Sequence, residues 1–524
     1  MLRSLVVVTA VITAIAARSA QASGLDTSFG TGGLVVSPVE PDEQPRALVR
    51  WGDELALAGK SWGASTSSMQ VVRFSSAGTL RDVHAFDVGI ASSGLKDAVV
   101  DGEGRLVVAG YAFADGENGL QTNAAVARLT GDGALDSSFG EAGVVLIDVA
   151  GHDDEVFSLL ALADGGLIAA GRTSLPVDNG VVPTRGALWH LSADGAVLHQ
   201  ATVTLAGESD ELVAVSAHQG GFVAVGTAVY EAGNRASVAA VRVDDQLALD
   251  PSFGDGGVGL YDPGAFLASV GVSVHSVGAR LLVGATIDNG AAMPDFDLAL
   301  LALDEHGNLD TSYGTQGVVA ASVHTLRGLP EPSPDLLRAV VPDGAGGAVL
   351  VGDSEGRPVL VRVDNDGALD QRFGNAGLER VDPCGPSGLV ADAELVDGRL
   401  VVAGACYRDP FFADAVLVRF TLDGAGSEGE GEGEGEGAEG EGEGAEGEGE
   451  GAEGEGEGTL TAADGEGERE RSSCTCRGSD VGPHTVATAS LLALVALRLR
   501  RRRYARHRER RPAPTARYSG SSVR

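Results

Sequence analysis

Between residues 25 and 426, apolar side chains recur in short β-branched runs divided by Gly, Asp and Asn. No sustained 3.6-residue apolar period interrupts them, so the pattern predicts strands throughout. Seven runs end in Gly, at 55–59, 106–110, 167–171, 222–226, 281–284, 348–352 and 400–404. A second apolar run follows each, at 71–74, 126–129, 241–243, 360–363 and 417–420, with looser versions at 187–191 and 298–303. Another precedes each Gly-ended run across a tight polar turn such as 101–104, 164–166 or 397–398, which is a hairpin signal. A short fourth run, as at 33–36 and 143–147, completes a four-stranded unit of about 55–60 residues.

The connection into the fourth run carries a repeated motif. It reads Leu25, Asp26, Phe29, Gly30 in the first copy, then Leu135, Asp136, Phe139, Gly140 and Leu249, Asp250, Phe253, Gly254. Leu309, Asp310, Tyr313, Gly314 and Leu369, Asp370, Phe373, Gly374 form the last two copies. Leu and Phe fit as apolar plugs between neighbouring units, Asp as an acceptor for amides of its own turn, and Gly as the residue that admits positive φ. A catalytic group is needed once and a packing group in every unit, so repetition argues for structure. Two units keep the turn, at 78–81 and 194–197, but lose the Asp-x-x-Phe-Gly part, and must fill that slot differently.

Seven such units predict an all-β fold, a seven-bladed β-propeller of four-stranded blades, whose radial repetition leaves only short edges. An open β-solenoid is the alternative. The five LD-x-x-FG copies resemble the delta-60 repeat family over about 400 residues, and that resemblance implies the propeller without implying an activity. The run 417–420 passes into 423–426 with no fourth strand of its own, whereas 33–36 follows no earlier unit. The N-terminal strand is therefore expected to complete the seventh blade and close the ring.

Composition changes at both ends. Residues 1–22 read as a secretory signal peptide: Arg3, an apolar core from 5 to 16, and Ala20-Gln21-Ala22 before the cut. The propeller is assigned to 23–426, and a Glu/Gly-rich stretch at 427–473 follows, too polar and too glycine-rich to bury a core and so expected to be a disordered acidic linker. Its 14 Glu between Glu428 and Glu457 supply more than a third of the net charge of −36, so the acidity says little about partners. Residues 474–511 combine Cys474 and Cys476, one hydrophobic helix over 481–499, and an Arg cluster, with a disordered tail at 512–524. Nineteen residues reach the lower limit for spanning ~30 Å of hydrocarbon, and the arginines would hold the C-terminus inside. Cys motif, span and Arg cluster in that order resemble the MYXO-CTERM sorting signal. That resemblance implies a sorting protease acting at the Cys motif and attachment at the cell surface or outer membrane, or release once the segment is processed. A plain single-pass anchor is the alternative.

Candidate chemistry is sparse. The turn Asp364, Asn365, Asp366, Gly367 with Asp370 has alternating oxygen ligands like half a calcium loop, as does 304–307 with Asp310, but neither has the bidentate Glu at position twelve. Gly59-Lys60-Ser61-Trp62-Gly63 matches a nucleophile-elbow pattern inside an all-β repeat, where it has no strand-to-helix context. The histidines and cysteines lack transition-metal spacing, and no cofactor is implied. An exported acidic domain without a basic aromatic face argues against nucleic acid. Cys384 and Cys406 flank the last hairpin and would close a disulfide after export, free buried thiols being the alternative. The expected role is binding or scaffolding of a protein or glycan ligand at a propeller rim, on the insertions 112–121, 174–185, 287–297 and 325–334. A hydrolase or lyase at the channel mouth is the rival, and it predicts a His with carboxylate partners converging there.

Overall fold

Among the described residues twenty-eight strands pair into seven four-stranded antiparallel sheets, and each sheet is one blade. A computed structural model describes residues 24–422 except 40–41, 63–65, 117–118, 177–181, 206, 231–234, 264–268, 290–294, 331–332, 385–387 and 408–412. The signal peptide, the linker, Cys474, Cys476, the hydrophobic segment and the Arg cluster lie outside the described residues. Among the described residues no helix is long and apolar enough to cross a membrane.

Blade 2 shows the plan: Ser93–Val100, Leu106–Gly116, Gly119–Leu129 and Val144–Ile147 add outward in chain order. The first strands of neighbouring blades touch around the whole circle, so they line the centre. Counting from the blade that starts at Asp42–Trp51, the seventh is built from Gly388–Val396, Arg399–Tyr407, Ala413–Thr421 and the N-terminal Leu34–Val36. Leu34 pairs with Val418 and Val36 with Val416, so the first strand of the chain closes the ring as the repeat pattern predicts. Apolar cores lie between blades rather than within them. Phe29, Val35 and Val72, for instance, pack with Val401 and Leu417 at the junction of blades 7 and 1.

Every first strand carries a one-residue β-bulge, at Arg46, Lys96, Phe157, Val213, Val272, Arg338 and Ala391. The bulge pushes a carbonyl toward the second strand, which explains the Gly that ends six of those runs, while Gly284 faces the Ser273 side chain instead. A Cβ on Gly110, Gly171 or Gly226 would fall on the carbonyl oxygen of Gly94, Glu155 or Glu211.

The repeated motif straddles two blade junctions. Phe139 packs on Gly195 of the next blade's turn, and the Gly140 N–H donates to Asp194 O of that turn at 2.8 Å. Phe253 meets Gly307 and Tyr313 meets Gly367 in the same way. The Leu of the motif reaches the other way: Leu135, Leu309 and Leu369 lie against the core shared with the preceding blade. Each Asp caps its own turn, as Asp136 Oδ1 accepts from Ser138 N at 3.0 Å and Asp250 Oδ1 from Ser252 N at 2.9 Å.

An arginine completes the seam. Arg128 Nε donates to Asp136 at 2.8 Å, its guanidinium lies 4.5 Å from the Phe139 ring centre, and Nη1 donates to Ala193 O in blade 3. Arg419 repeats this with Asp26, Phe29 and Ser76 O, and Arg280 with Asp310, Tyr313 and Asn365 O. Arg73, Arg242 and Arg362 reach Gly131 O, Glu305 O and Leu422 O. In blade 3 the His190 ring nitrogen lies 2.8 Å from Asp245 O, so each of the seven blades holds the next.

The two blades without the motif solve the same packing problem locally. In blade 1 the His84 ring occupies the space against Gly133 that Phe fills elsewhere. Between blades 3 and 4 the turn itself supplies the plug, because Leu247 stands at positive φ where the other turns have Gly, and it is buried.

Candidate functional site: the channel mouth

Up-and-down connectivity puts the second-to-third strand loops and the blade-to-blade connections at one end of the ring. All four insertions therefore open on one face, together with the start of each inner strand. One of them, 112–121, is regular: strands two and three of blade 2 continue as a hairpin to Gly116 and Gly119, because ladder pairing persists past the repeat. Val323–Leu326 forms a single helical turn between blades 5 and 6, which the strand-only pattern did not anticipate.

The bulged residues of the inner strands make a ring that is cationic over blades 6, 1 and 2, with Arg338, Arg46 and Lys96, and apolar over blades 3 to 5, with Phe157, Val213 and Val272, while Ala391 of blade 7 stands between Arg338 and Arg46. Lys96 Nζ lies 3.8 Å from Glu155, 5.2 Å from the Phe157 ring centre and 5.6 Å from that of Tyr111. Burial pushes its pKa down, with Glu155 opposing. Arg172 sits 3.5 Å from Glu155 and 3.8 Å from Glu211, whose carboxyl burial pushes up. Arg338 donates to Asp353 at 2.6 Å, and the other oxygen of Asp353 accepts from Val390 N at 2.6 Å.

Arg46 is different. Its guanidinium has neither a hydrogen-bond nor an ion-pair partner among the described residues. Burial lowers its pKa, with Tyr407 and Tyr111 as favourable neighbours and Arg338 as an opposing like charge. Arg338 stands two blades away round the ring, so this proximity is across the channel. Trp62, 39% exposed, and Tyr407, 36% exposed, add aromatic surface on the same face.

Deeper in the ring lie carboxyls that sequence reasoning missed. Asp392 accepts from Leu48 N and Ala393 N at 2.8 Å each, and Asp97 from Leu159 N at 2.7 Å and Ala98 N at 2.8 Å. Each thereby ties its blade to the next, yet burial pushes Asp392 up to about 8 and Asp97 to about 6. Burial likewise pushes Glu394 to about 7. His275, on the inner strand of blade 5, is driven down to about 4 by burial and hydrogen-bonds the Val340 backbone rather than a carboxylate. Among the described residues the inner-strand histidines are His218, which meets Ser276 Oγ, and His275, and neither has a carboxylate ion-pair partner.

The other sequence candidates are placed elsewhere. Asp364 Oδ1 caps its own turn by accepting from Asp366 N and Ala368 N, while the Asp370 carboxylate faces Arg372 at 3.1 Å and Arg362 at 3.7 Å. These carboxylates do not converge on a common point. Asp304 is spent in the same way on His306 N and Asn308 N. Gly59, Lys60, Ser61 and Trp62 continue one strand, with no elbow. Cys384 and Cys406 are joined as a disulfide with Cα atoms 5.1 Å apart. The inner-strand bulge shifts the register, so Cys406 pairs with Gly388 and Cys384 lies just before the strand.

A protein-family model described as "Domain of unknown function (DUF5122) beta-propeller" matches residues 104–139, from the first turn of blade 2 to the motif Phe139. No curated protein matches. Among solved structures, Drosophila Semaphorin 1b, extracellular domains 1–2, is similar at 10% identity and TM-score 0.40, covering 77% of this chain and 88% of that one. A Lactobacillus plantarum protein is similar at 12% identity and TM-score 0.42, covering 68% and 98%. Pyrococcus horikoshii acylaminoacyl peptidase is similar at 11% identity and TM-score 0.38, covering 73% and 52%. Seven sheets in a closed ring, repeated motif seams and the family match together make this chain a β-propeller repeat protein.

Proposed function

We propose that the protein is an exported, surface-held binding module whose channel mouth takes the anionic group of an acidic glycan. The Arg46 guanidinium, without a hydrogen-bond or ion-pair partner among the described residues and with Tyr111 and Tyr407 near it, is the observation that supports it. A guanidinium supplies bidentate donors for a carboxylate or sulfate, and aromatic surface nearby suits sugar rings. The acidic linker stands the module off the surface, and the Cys motif, apolar segment and Arg cluster tether it there.

Titration calorimetry with sulfated and uronic-acid oligosaccharides, against neutral oligosaccharides of equal length, tests the binding. The expected result is binding of an acidic series alone, weakened at least tenfold in Arg46→Ala with unchanged melting. Equal affinity of the variant would remove Arg46 from the site. For the tether, fractionation of the native host should move the protein from the envelope to the medium when residues from Cys474 onward are deleted, and an unchanged distribution would sink it.

A further inference from the structure

One of the insertions meets the connection between blades 5 and 6 at a second site. Asp295 and Asp297 stand where the second-to-third strand connection of blade 5 enters its third strand, Phe296–Leu303, and His324 lies on the helical turn between blades 5 and 6. Their ligand atoms all gather within 4.8 Å of one another, the sole such group of His, Cys, Asp or Glu among the described residues. Asp297 is only 4% exposed, and its Oδ1 is buried without any hydrogen-bond partner, while Oδ2 accepts from Asn289 Nδ2 at 2.6 Å. Asp295 Oδ1 is also buried and unpartnered, 3.7 Å from His324 Nδ1. Ser322 Oγ lies 2.8 Å from the same ring nitrogen and orients the imidazole.

A buried carboxylate oxygen aimed at a second carboxylate with no donor between them is costly unless a cation lies there. Asp288 and Asp335 add further negative charge close enough to act on Asp295 and Asp297 respectively. Calcium and magnesium favour all-oxygen shells, whereas an imidazole beside two carboxylates, with positions open to water, suits a first-row transition ion. We infer that Asp295, Asp297 and His324 bind one divalent first-row transition metal ion, which pins the blade 5 insertion to the blade 5–6 connection. The three ligands come from segments that only the propeller topology brings together.

The test uses the full chain stripped with chelator and dialysed against Zn²⁺, Mn²⁺ or Ca²⁺. The expected result is one Zn²⁺ or Mn²⁺ per chain that disappears from Asp297→Asn and falls at least tenfold in affinity in His324→Ala. The bound ion should raise the melting temperature of the intact protein and of Arg46→Ala alike. In chelator, Asp297→Asn should melt no lower than the intact chain, because it removes a buried charge. Binding undiminished in both variants, no stoichiometric uptake by the intact chain, or uptake of Ca²⁺ in preference to both other ions would each overturn the assignment. None of these readouts involves the glycan, so this inference and the proposed function stand or fall separately.

Discussion

Deleting residues 25–39 should cost the propeller most of its stability. The deleted stretch supplies the fourth strand of blade 7, Leu34–Val36, whose loss leaves Ala413–Thr421 as a bare edge. It removes Phe29, which is fully buried between blades 7 and 1, and such a loss alone costs about 3–5 kcal/mol. It also removes Asp26, the partner of both Arg399 and Arg419, and so strands two guanidinium groups at the seam. Against a total stability of about 5–15 kcal/mol these losses are decisive. Calorimetry should show melting lowered by more than about 10 °C or no cooperative transition. A deletion variant that melts like the intact protein would refute closure by the N-terminal strand.

Melting should also fall as pH rises from 5 to 8.5, against the usual expectation for an acidic protein. Burial raises Asp392 to about 8, Glu394 and Asp154 to about 7, and Asp97 and Asp335 to about 6. The folded chain therefore holds protons that the unfolded chain has released above its ordinary carboxylate range. Stability must fall with pH wherever the folded state binds more protons, here from about 4 up to about 8. The motif aspartates Asp26, Asp136, Asp250, Asp310 and Asp370 have the opposite sign. Hydrogen bonds from the Ser or Arg two residues on and the seam arginines hold their pKa values down, burial opposing, so their contribution is lost only below the ordinary carboxylate range. His275, lowered to about 4 by burial, and His218, also lowered by burial, withdraw stability as pH falls below the usual histidine value, two groups against five. The optimum is thus expected near pH 5, with melting several degrees lower at pH 8.5. Glu394→Gln should recover part of that loss at pH 8.5 and change little at pH 5. A melting temperature that is flat or rising over this range would contradict the buried-acid account.

Much of the architecture was legible because it is periodic. A Gly-ended run and an LD-x-x-FG connection recur with their strands, so blade number, strand order and the closing strand follow from counting. The latch was not legible, although Arg73, Arg128, Arg242, Arg362 and Arg419 occupy matching places in the third strand. On a single strand an arginine reads as the solvent-facing position, and only the neighbouring blade supplies the carbonyl it reaches. Blade 5 hides the rule further, because Ala302 stands at that position and Arg280 arrives from another strand. The channel mouth was illegible for a related reason. A one-residue bulge reverses which alternate side chains face inward, so periodicity could not place Arg46, Lys96 or Arg338 on one ring. Asp295, Asp297 and His324 are separated by a whole strand and a motif copy, with no ligand spacing for a sequence to display.

The claim that Arg46 makes the channel mouth an anion receptor is tested most directly by a crystal of the propeller soaked in selenate, whose anomalous signal locates a tetrahedral oxyanion. A peak is expected on the Arg46 guanidinium near Tyr111 and Tyr407, absent from Arg46→Ala. Selenate elsewhere on the surface with that position empty, or a peak that persists in the variant, would contradict it.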